Sequence, residues 1–395
     1  MTVGTVSKSP EPPMTQEERQ WLLPVYPHWP MEPVSGHGVM LVTREGRELI
    51  DFYGGHAVAL LGYGHPRLLA TLSAQAETLF FQSNVVPLEI RARAARKLVE
   101  FAPEGLNRAF LVNSGAEANE NALRLAFRKT GRTRVVAVEG AFHGRTAAAG
   151  ALTWGSAKWY GFPRPPFDVT FVKRGDLDSL QAELSKKDVA ALIAEPVQGN
   201  SGAYPLGQEW LRAARELTAR TGTLLIFDEV QCGMGRSGDP FAAQTFGVTP
   251  DLLTTAKGLA GGFPAGALLV KEEVAHGLNP GDLGTTFGGG PIACALIETV
   301  IDTIREEGLL ENVRRVSARI RETCVVGPVT AIQGEGFLLG LRTARPAKEI
   351  QAELMERGIF SGTSGDPNIV RLLPPLVLRD EHVDALSEAL RGIGG

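Results

Sequence analysis

Between about residues 66 and 228 the chain alternates two hydrophobic patterns. Segments with helical spacing of apolar positions predict helices over 66–80, 88–101, 116–129, 177–186 and 207–221. Between them lie Ala109-Phe110-Leu111-Val112, Arg134-Val135-Val136-Ala137-Val138, Val169-Thr170-Phe171-Val172, Ala190-Ala191-Leu192-Ile193-Ala194 and Leu224-Leu225-Ile226-Phe227. These runs are continuously apolar rather than alternating. Strands of that kind are buried on both faces, which predicts a mostly parallel sheet covered by helices. The strand–helix alternation predicts an α/β layered domain.

The flanks read differently. Val39-Met40-Leu41-Val42 and Leu49-Ile50-Asp51-Phe52 enclose Arg44-Glu45-Gly46-Arg47 and predict a hairpin. Downstream, helices are predicted over 291–308, 310–324, 346–357 and 380–391, with apolar segments at 336–341 and 369–373. That mixture predicts a smaller α+β domain, joined by the N-terminal hairpin. The expected division is 1–65 for an arm and part of the small domain, 66–308 for the large domain, and 309–395 for the rest of the small domain. Residues 1–13, with Pro10, Pro12 and Pro13, read as a mobile arm. Thr15 reads as the cap of a short helix with Glu17 and Glu18 in its first turn.

Charge narrows the function. Among 395 residues, 40 Lys and Arg stand against 44 Asp and Glu, a net charge of −4. No global field attracts nucleic acid or an anionic membrane, so any anion must be held by local geometry. No apolar run approaches the roughly 18 residues of a spanning helix. No basic stretch followed by an apolar one opens the chain, and the expected compartment is the cytoplasm. Cys232, Cys294 and Cys324 are odd in number and widely spaced, which predicts reduced thiols rather than disulfides or a zinc site. His56, His65 and His143 fit no common zinc spacing and read as polar loop residues, so no metal is expected.

Four local features carry chemistry. Gly233-Met-Gly-Arg-Ser-Gly238 matches a dinucleotide fingerprint after a strand. Yet Asp228–Cys232 separate it from that strand, and Asp239-Pro240 follow where a pyrophosphate-binding helix should run. A glycine-rich loop is the better account, and a nicotinamide oxidoreductase rests on this motif alone. Ser114-Gly115-Ala116 lie between a strand and a helix, where backbone N–H groups hold phosphate. Ser114 is equally explained as an N-cap, with Glu117 completing a capping box. Asp228 ends an apolar strand, with Gln231 three residues on; it is either a ligand group or a loop cap. Lys257 stands among small and apolar residues, suited to a lowered pKa and to amine nucleophilicity.

Taken together, the residues resemble a known family. The matching stretches are Gly54–Val58 with Gly62–Pro66, then 113–119, Phe142–Thr146, Glu195–Gly199, Asp228–Gln231, Lys257-Gly258, Gly284–Gly289 and Val370–Pro375. In order and spacing they resemble the class III aminotransferases over roughly 35–390, most closely the acetylornithine aminotransferase branch. The resemblance implies the fold-type I architecture: a mostly parallel seven-stranded sheet in a large domain, with a smaller α+β domain. It implies pyridoxal 5′-phosphate as cofactor and a homodimer. Residue by residue, it implies that Lys257 links to the cofactor aldehyde, Asp228 pairs with the pyridinium nitrogen, and Gln231 contacts the ring hydroxyl. Phe142 would stack on the ring, Ser114, Gly115 and Ala116 would hold the phosphate, and Thr286 would reach the neighbouring subunit's phosphate. Arg145 and Arg371 would bind substrate carboxylates, with Thr285 and Glu195 also on the substrate side. Without the resemblance, Phe142 reads as core packing, and the two arginines as structural ion pairs.

The chain departs from the branch in several places. Asn200 stands where relatives often have a glutamate that masks the arginine matching Arg371, His56 replaces an apolar residue, Leu283 a histidine, and Gly290 an asparagine. The resemblance implies transfer of the terminal amine of N-acetylornithine, or a similar N-acylated ω-amino acid, to 2-oxoglutarate. Ornithine, 4-aminobutyrate and aminoadipate-semialdehyde aminotransferases, and a pyridoxal-phosphate aminomutase, stand as alternatives.

Overall fold

The computed structural model describes residues 13–394. The predicted arm lies outside the described residues, apart from Pro13. Pro13 opens a helix that runs to Trp21, so Thr15 lies inside it rather than capping it. Proline is well suited to a first helical turn, where its missing N–H has no partner to lose.

The centre is a seven-stranded sheet, numbered here in chain order. Its strands are β1 (Leu106–Val112), β2 (Arg134–Val138), β3 (Asp168–Val172), β4 (Val189–Ala194), β5 (Leu224–Asp228), β6 (Leu252–Thr255) and β7 (Gly266–Lys271). Across the sheet they lie in the order β1-β7-β6-β5-β4-β2-β3. Only β7 runs antiparallel to its neighbours. The pattern alone located five of these strands. It missed β6, which is four residues long and half threonine, and β7. Ten residues join the two, too few for a crossover helix, so β7 must run back antiparallel. Lys257 sits in that connection.

Continuous apolar runs arise because each strand feeds two cores. Ala191 and Ile193 of β4 face a core with Leu123 and Ala126 of the helix Gly115–Thr130. Leu192 and Ala194 face the opposite core, which holds Ile297, Val300 and Ile301 of the helix Pro291–Glu306. That helix packs against the helices Pro66–Thr78 and Glu89–Phe101. Alternate side chains point to opposite faces, so a strand buried on both shows no polar alternation.

Two smaller sheets flank this centre. Met40–Thr43 and Glu48–Asp51 pair as the expected antiparallel hairpin. Glu48–Asp51 then pairs in parallel with Ile359–Phe360, which ties the N-terminal hairpin to the C-terminal part of the chain. A four-stranded sheet runs in the order Val329–Glu335, Leu338–Thr343, Ile369–Leu372, Gly362–Thr363. Among the described residues no helix is long and apolar enough to cross a membrane.

Candidate active site

Parallel strands end on one edge of the sheet, and ligands collect there because backbone and side-chain groups converge beyond the strand ends. Here β1 ends before Ser114, β4 before Glu195, β5 at Asp228, and β6 just before Ala256-Lys257. A cavity of about 410 Å³ opens at this edge, lined by Ser114, Gly115, Ala116, Phe142, Asp228 and Lys257 among others.

Its floor is a hydrogen-bond network centred on Asp228. Asp228 Oδ2 accepts from Asn119 Nδ2 at 2.8 Å and lies 2.8 Å from His143 Nδ1, while Oδ1 accepts from Val230 N at 3.0 Å. Asn119 is fixed in turn, donating to His143 O at 2.8 Å and accepting from Thr254 Oγ1 at 2.7 Å. A buried carboxylate needs such partners to stay charged. His143 is therefore not a solvated loop histidine: it is 2% exposed and bonded to Asp228. The sequence singled out neither its role nor that of Asn119, although both lie within the stretches that carried the resemblance.

Lys257 has a positive φ of 51°, a strained conformation for a side chain-bearing residue. Its amine makes no hydrogen bond or ion pair among the described residues and lines the cavity. Burial lowers its pKa below 10.5; the charges of Asp228 and Glu195 oppose that shift, and Arg371 adds to it. Glu195 is buried and accepts from Phe142 N at 2.8 Å, and desolvation raises its pKa to about 7.

Ser114 is a genuine N-cap: its Oγ accepts from Glu117 N at 3.2 Å, and the helix Gly115–Thr130 follows. Glu117 does not complete the box on Ser114 but reaches one residue further back, accepting from Asn113 N at 2.7 Å. Capping and ligand binding therefore coexist at this helix start, whose N-terminal N–H groups line the cavity. Gly266, opening β7, passes so close that a Cβ would lie 2.6 Å from Ser114 O.

The mouth is built from loops and from the strand Ile369–Leu372, which carries Arg371. Arg371 is 4% exposed and has no carboxylate within ion-pair distance among the described residues. It donates to Thr363 O at 3.1 Å, Asn200 Oδ1 at 3.0 Å and Gln231 Oε1 at 3.3 Å. Burial lowers its pKa to about 10, which leaves it charged at neutral pH. Arg145 also lacks an ion pair among the described residues; its guanidinium lies 4.6 Å from the Trp159 ring centroid and 5.9 Å from that of Phe142. Gly54, Gly55, His56 and Ala57 all have positive φ. Gly54 is required there, since a Cβ would lie 2.5 Å from Leu373 O. This left-handed turn places His56 against Tyr53, with Nδ1 2.5 Å from the phenol oxygen. Burial and the charges of Arg371 and Lys257 lower the pKa of His56 to about 3, so its ring is neutral.

Thr285 and Thr286 stand apart from these groups. Thr285 Oγ1 accepts from Gly288 N at 3.1 Å and from Asn113 Nδ2 at 3.4 Å, and Thr286 is exposed. The Gly233–Gly238 segment is a buried loop and not a nucleotide cradle: it packs Arg236, 1% exposed, against the carbonyl oxygens of Pro374 and Phe337.

The groups present fit the cofactor implied by the resemblance. A helix N-terminus suits its phosphate, a fixed carboxylate its ring nitrogen, and a free, half-buried amine its aldehyde. All line the same cavity.

The sequence profile described as Aminotransferase class-III matches residues 25–393. The chain belongs to the class III aminotransferases. Among relatives of this aminotransferase, the acetylornithine aminotransferase of Streptomyces coelicolor is 43% identical over 366 residues, covering 91% of this chain and 90% of the relative. That of Methanocaldococcus jannaschii is 36% identical over 388 residues, covering 94% and 96%. The solved ornithine aminotransferase of Toxoplasma gondii, described with pyridoxal phosphate (PLP) at its active site, is 29% identical and superposes with TM-score 0.89 over 96% of this chain and 93% of that one. The acetylornithine aminotransferase structure from Elizabethkingia anophelis is 27% identical, with TM-score 0.86 over 96% and 98%. The family assignment removes the nicotinamide oxidoreductase from consideration.

Proposed function

We propose that this aminotransferase moves the terminal amino group of N-acetylornithine, or a similar N-acylated ω-amino acid, to 2-oxoglutarate. The products are a semialdehyde and glutamate. The observation that carries the proposal is Lys257: a half-buried, unpaired amine in a cavity it shares with a fixed carboxylate, a helix N-terminus and Arg145, while Arg371 and Arg145 have no carboxylate partner among the described residues. The relatives named for acetylornithine support the donor class.

Pyridoxal phosphate, when bound, supplies the electron sink that stabilises negative charge on the substrate carbon. Lys257 would hold it and, once freed, would move the proton between the amine-bearing substrate carbon and the cofactor's aldehyde carbon. Asp228 keeps the ring nitrogen protonated, and Asn119 with His143 holds that carboxylate in place. The N–H groups of Ser114, Gly115 and Ala116 bind the phosphate, Phe142 covers the ring, and Gln231 contacts its hydroxyl. Arg371 and Arg145 bind the two carboxylates of 2-oxoglutarate, because a planar guanidinium pairs both oxygens of each. With the N-acylated donor, Arg145 takes the α-carboxylate and places the far amine at Lys257; Glu195 and Thr285 lie on the substrate side. Thr286 reaches the phosphate of a second subunit in a homodimer. The compartment is the cytoplasm.

The test is a half-reaction screen of the purified holoenzyme, following cofactor absorbance with N-acetylornithine, ornithine, 4-aminobutyrate and glutamate. Conversion by N-acetylornithine and glutamate at much higher kcat/KM than by the other two is the expected result. Preference for free ornithine or 4-aminobutyrate would reassign the donor, and turnover of one substrate without an oxo acid would make the protein an aminomutase.

A further inference from the structure

The Gly233–Gly238 loop holds a charge that takes no part in the proposed reaction. Arg236 is 1% exposed and makes no ion pair among the described residues; the charge of Asp51 reaches it only through space. Burial lowers its pKa to about 9, so it stays charged at neutral pH. Nη1 donates to the carbonyl oxygen of Pro374 and lies 3.5 Å from that of Phe337. Nε and Nη2 meet no acceptor among the described residues. A buried cation with unpaired donors is costly, and an apolar side chain of similar size would serve stability as well or better. Stability alone therefore does not explain an arginine here.

What Arg236 holds is the strand pair that carries Arg371. Leu338–Thr343 and Ile369–Leu372 are antiparallel neighbours, with Leu339 opposite Leu372 and Gly340 opposite Arg371. Phe337 and Pro374 therefore leave that pair side by side at one end, and the guanidinium reaches both. The carbonyl of Arg236 also accepts from Phe337 N at 2.8 Å, so main chain and side chain grip the same point. On its other side the segment meets the left-handed turn: Leu373 N donates to Phe52 O at 2.6 Å. Asp51 caps that turn, accepting from Tyr53 N at 2.7 Å, Gly54 N at 2.8 Å and Tyr63 Oη at 2.6 Å.

The loop itself starts at the floor. It leaves β5 at Asp228, and the buried Glu229 closes it onto the helix Ala242–Phe246, accepting from Ala242 N at 2.5 Å and Ala243 N at 2.7 Å. Asp228 and Arg371 belong to different sheets, yet both must meet one cofactor-bound substrate. Arg236 is a direct tie between the loop that follows one and the segment that follows the other.

We propose that Arg236 is a positioning residue that sets the reach of Arg371 to the substrate carboxylate against the floor at Asp228. The inference rests on the reading of Arg371 as a carboxylate-binding group. Its test follows the kinetics, visible cofactor band and Tm of purified R236M and R236K holoenzymes. R236M is expected to raise KM for 2-oxoglutarate about tenfold, with KM for N-acetylornithine, whose carboxylate goes to Arg145, and kcat within about twofold. The cofactor band should not change. R236K keeps one charged donor for Pro374 and is expected to recover most of the loss, leaving about a threefold rise. Binding of glutarate, a dicarboxylate that cannot react, should weaken in the same order. Equal effects on both substrates, or a lowered Tm with KM for 2-oxoglutarate unchanged, would make Arg236 purely structural and overturn the proposal. Should R236M not fold, R236K alone decides: wild-type KM for 2-oxoglutarate would overturn it. A KM change in R371K but not in R236M would overturn this inference alone, and no change in either would overturn the carboxylate reading of Arg371 as well.

Discussion

The floor and the mouth of the active-site cavity are built on opposite principles. The floor comes from strand ends, one long helix and the buried loop of His143, and both oxygens of Asp228 are bonded to neighbouring protein groups. The mouth comes from loops, a left-handed turn and the strand Ile369–Leu372, and its arginines are held by neutral oxygens and aromatic rings. Several hydrogen bonds anchored on strand ends and a helix fix a group that must never move. Unsatisfied cations wait for a charge that arrives with the substrate. The difference separates chemistry common to a whole family from specificity particular to one chain.

The contrast can be broken from the floor first. Lys257→Ala should abolish transamination by about 10³-fold or more, the scale of a lost general base, and remove the visible cofactor band of the purified protein. An intact band would displace that lysine from its role. Asp228→Asn should lower kcat about 100-fold while substrate KM changes little, as for a group acting on the transition state. It should also lower the pKa of Lys257 further, because the charge of Asp228 raises it. Titrating the amine with a carbonyl reagent in cofactor-free protein checks that direction.

Changes at the mouth should split the half-reactions instead. Arg371→Lys should raise KM for 2-oxoglutarate about tenfold, since a point charge replaces a bidentate fork, with a smaller effect on kcat. A smaller effect concerns stability. Glu195 and Glu229 are both buried carboxyls with pKa raised to about 7 from 4.5. Each binds its proton more tightly in the folded state, so its contribution is complete below about pH 4.5 and is lost as pH rises towards 7. Thermal unfolding of Glu195→Gln should therefore show a flatter decline over that range than the wild type. Least of all, His56→Ile should lower Tm by a few degrees and His56→Asn by less, because a β-branched residue tolerates positive φ poorly and asparagine well. Equal losses would mean that the turn is not strained.

Much of the floor was legible. Asp228 follows a continuous apolar strand, Ser114-Gly115-Ala116 mark a strand-to-helix turn, and Lys257 lacks charged neighbours along the chain. The strands β6 and β7 were missed as patterns because their brevity, threonines and flanking glycines hide the apolar run. His143 was misjudged because a lone histidine in a glycine-containing loop gives no hint that it is buried beside a carboxylate 85 residues away. The glycine fingerprint misled because its spacing serves a tight loop that buries Arg236.

By itself the sequence determined the layered fold, the edge where chemistry gathers and the residue types brought there, because local periodicity and turn chemistry act over a few residues. Only the tertiary structure decided which charges are compensated. Arg371 meets Asn200 and Gln231 across 171 and 140 residues of chain, and Asp228 meets Asn119 across 109. A side chain's partner is set by packing of distant elements, and no spacing along the chain records it.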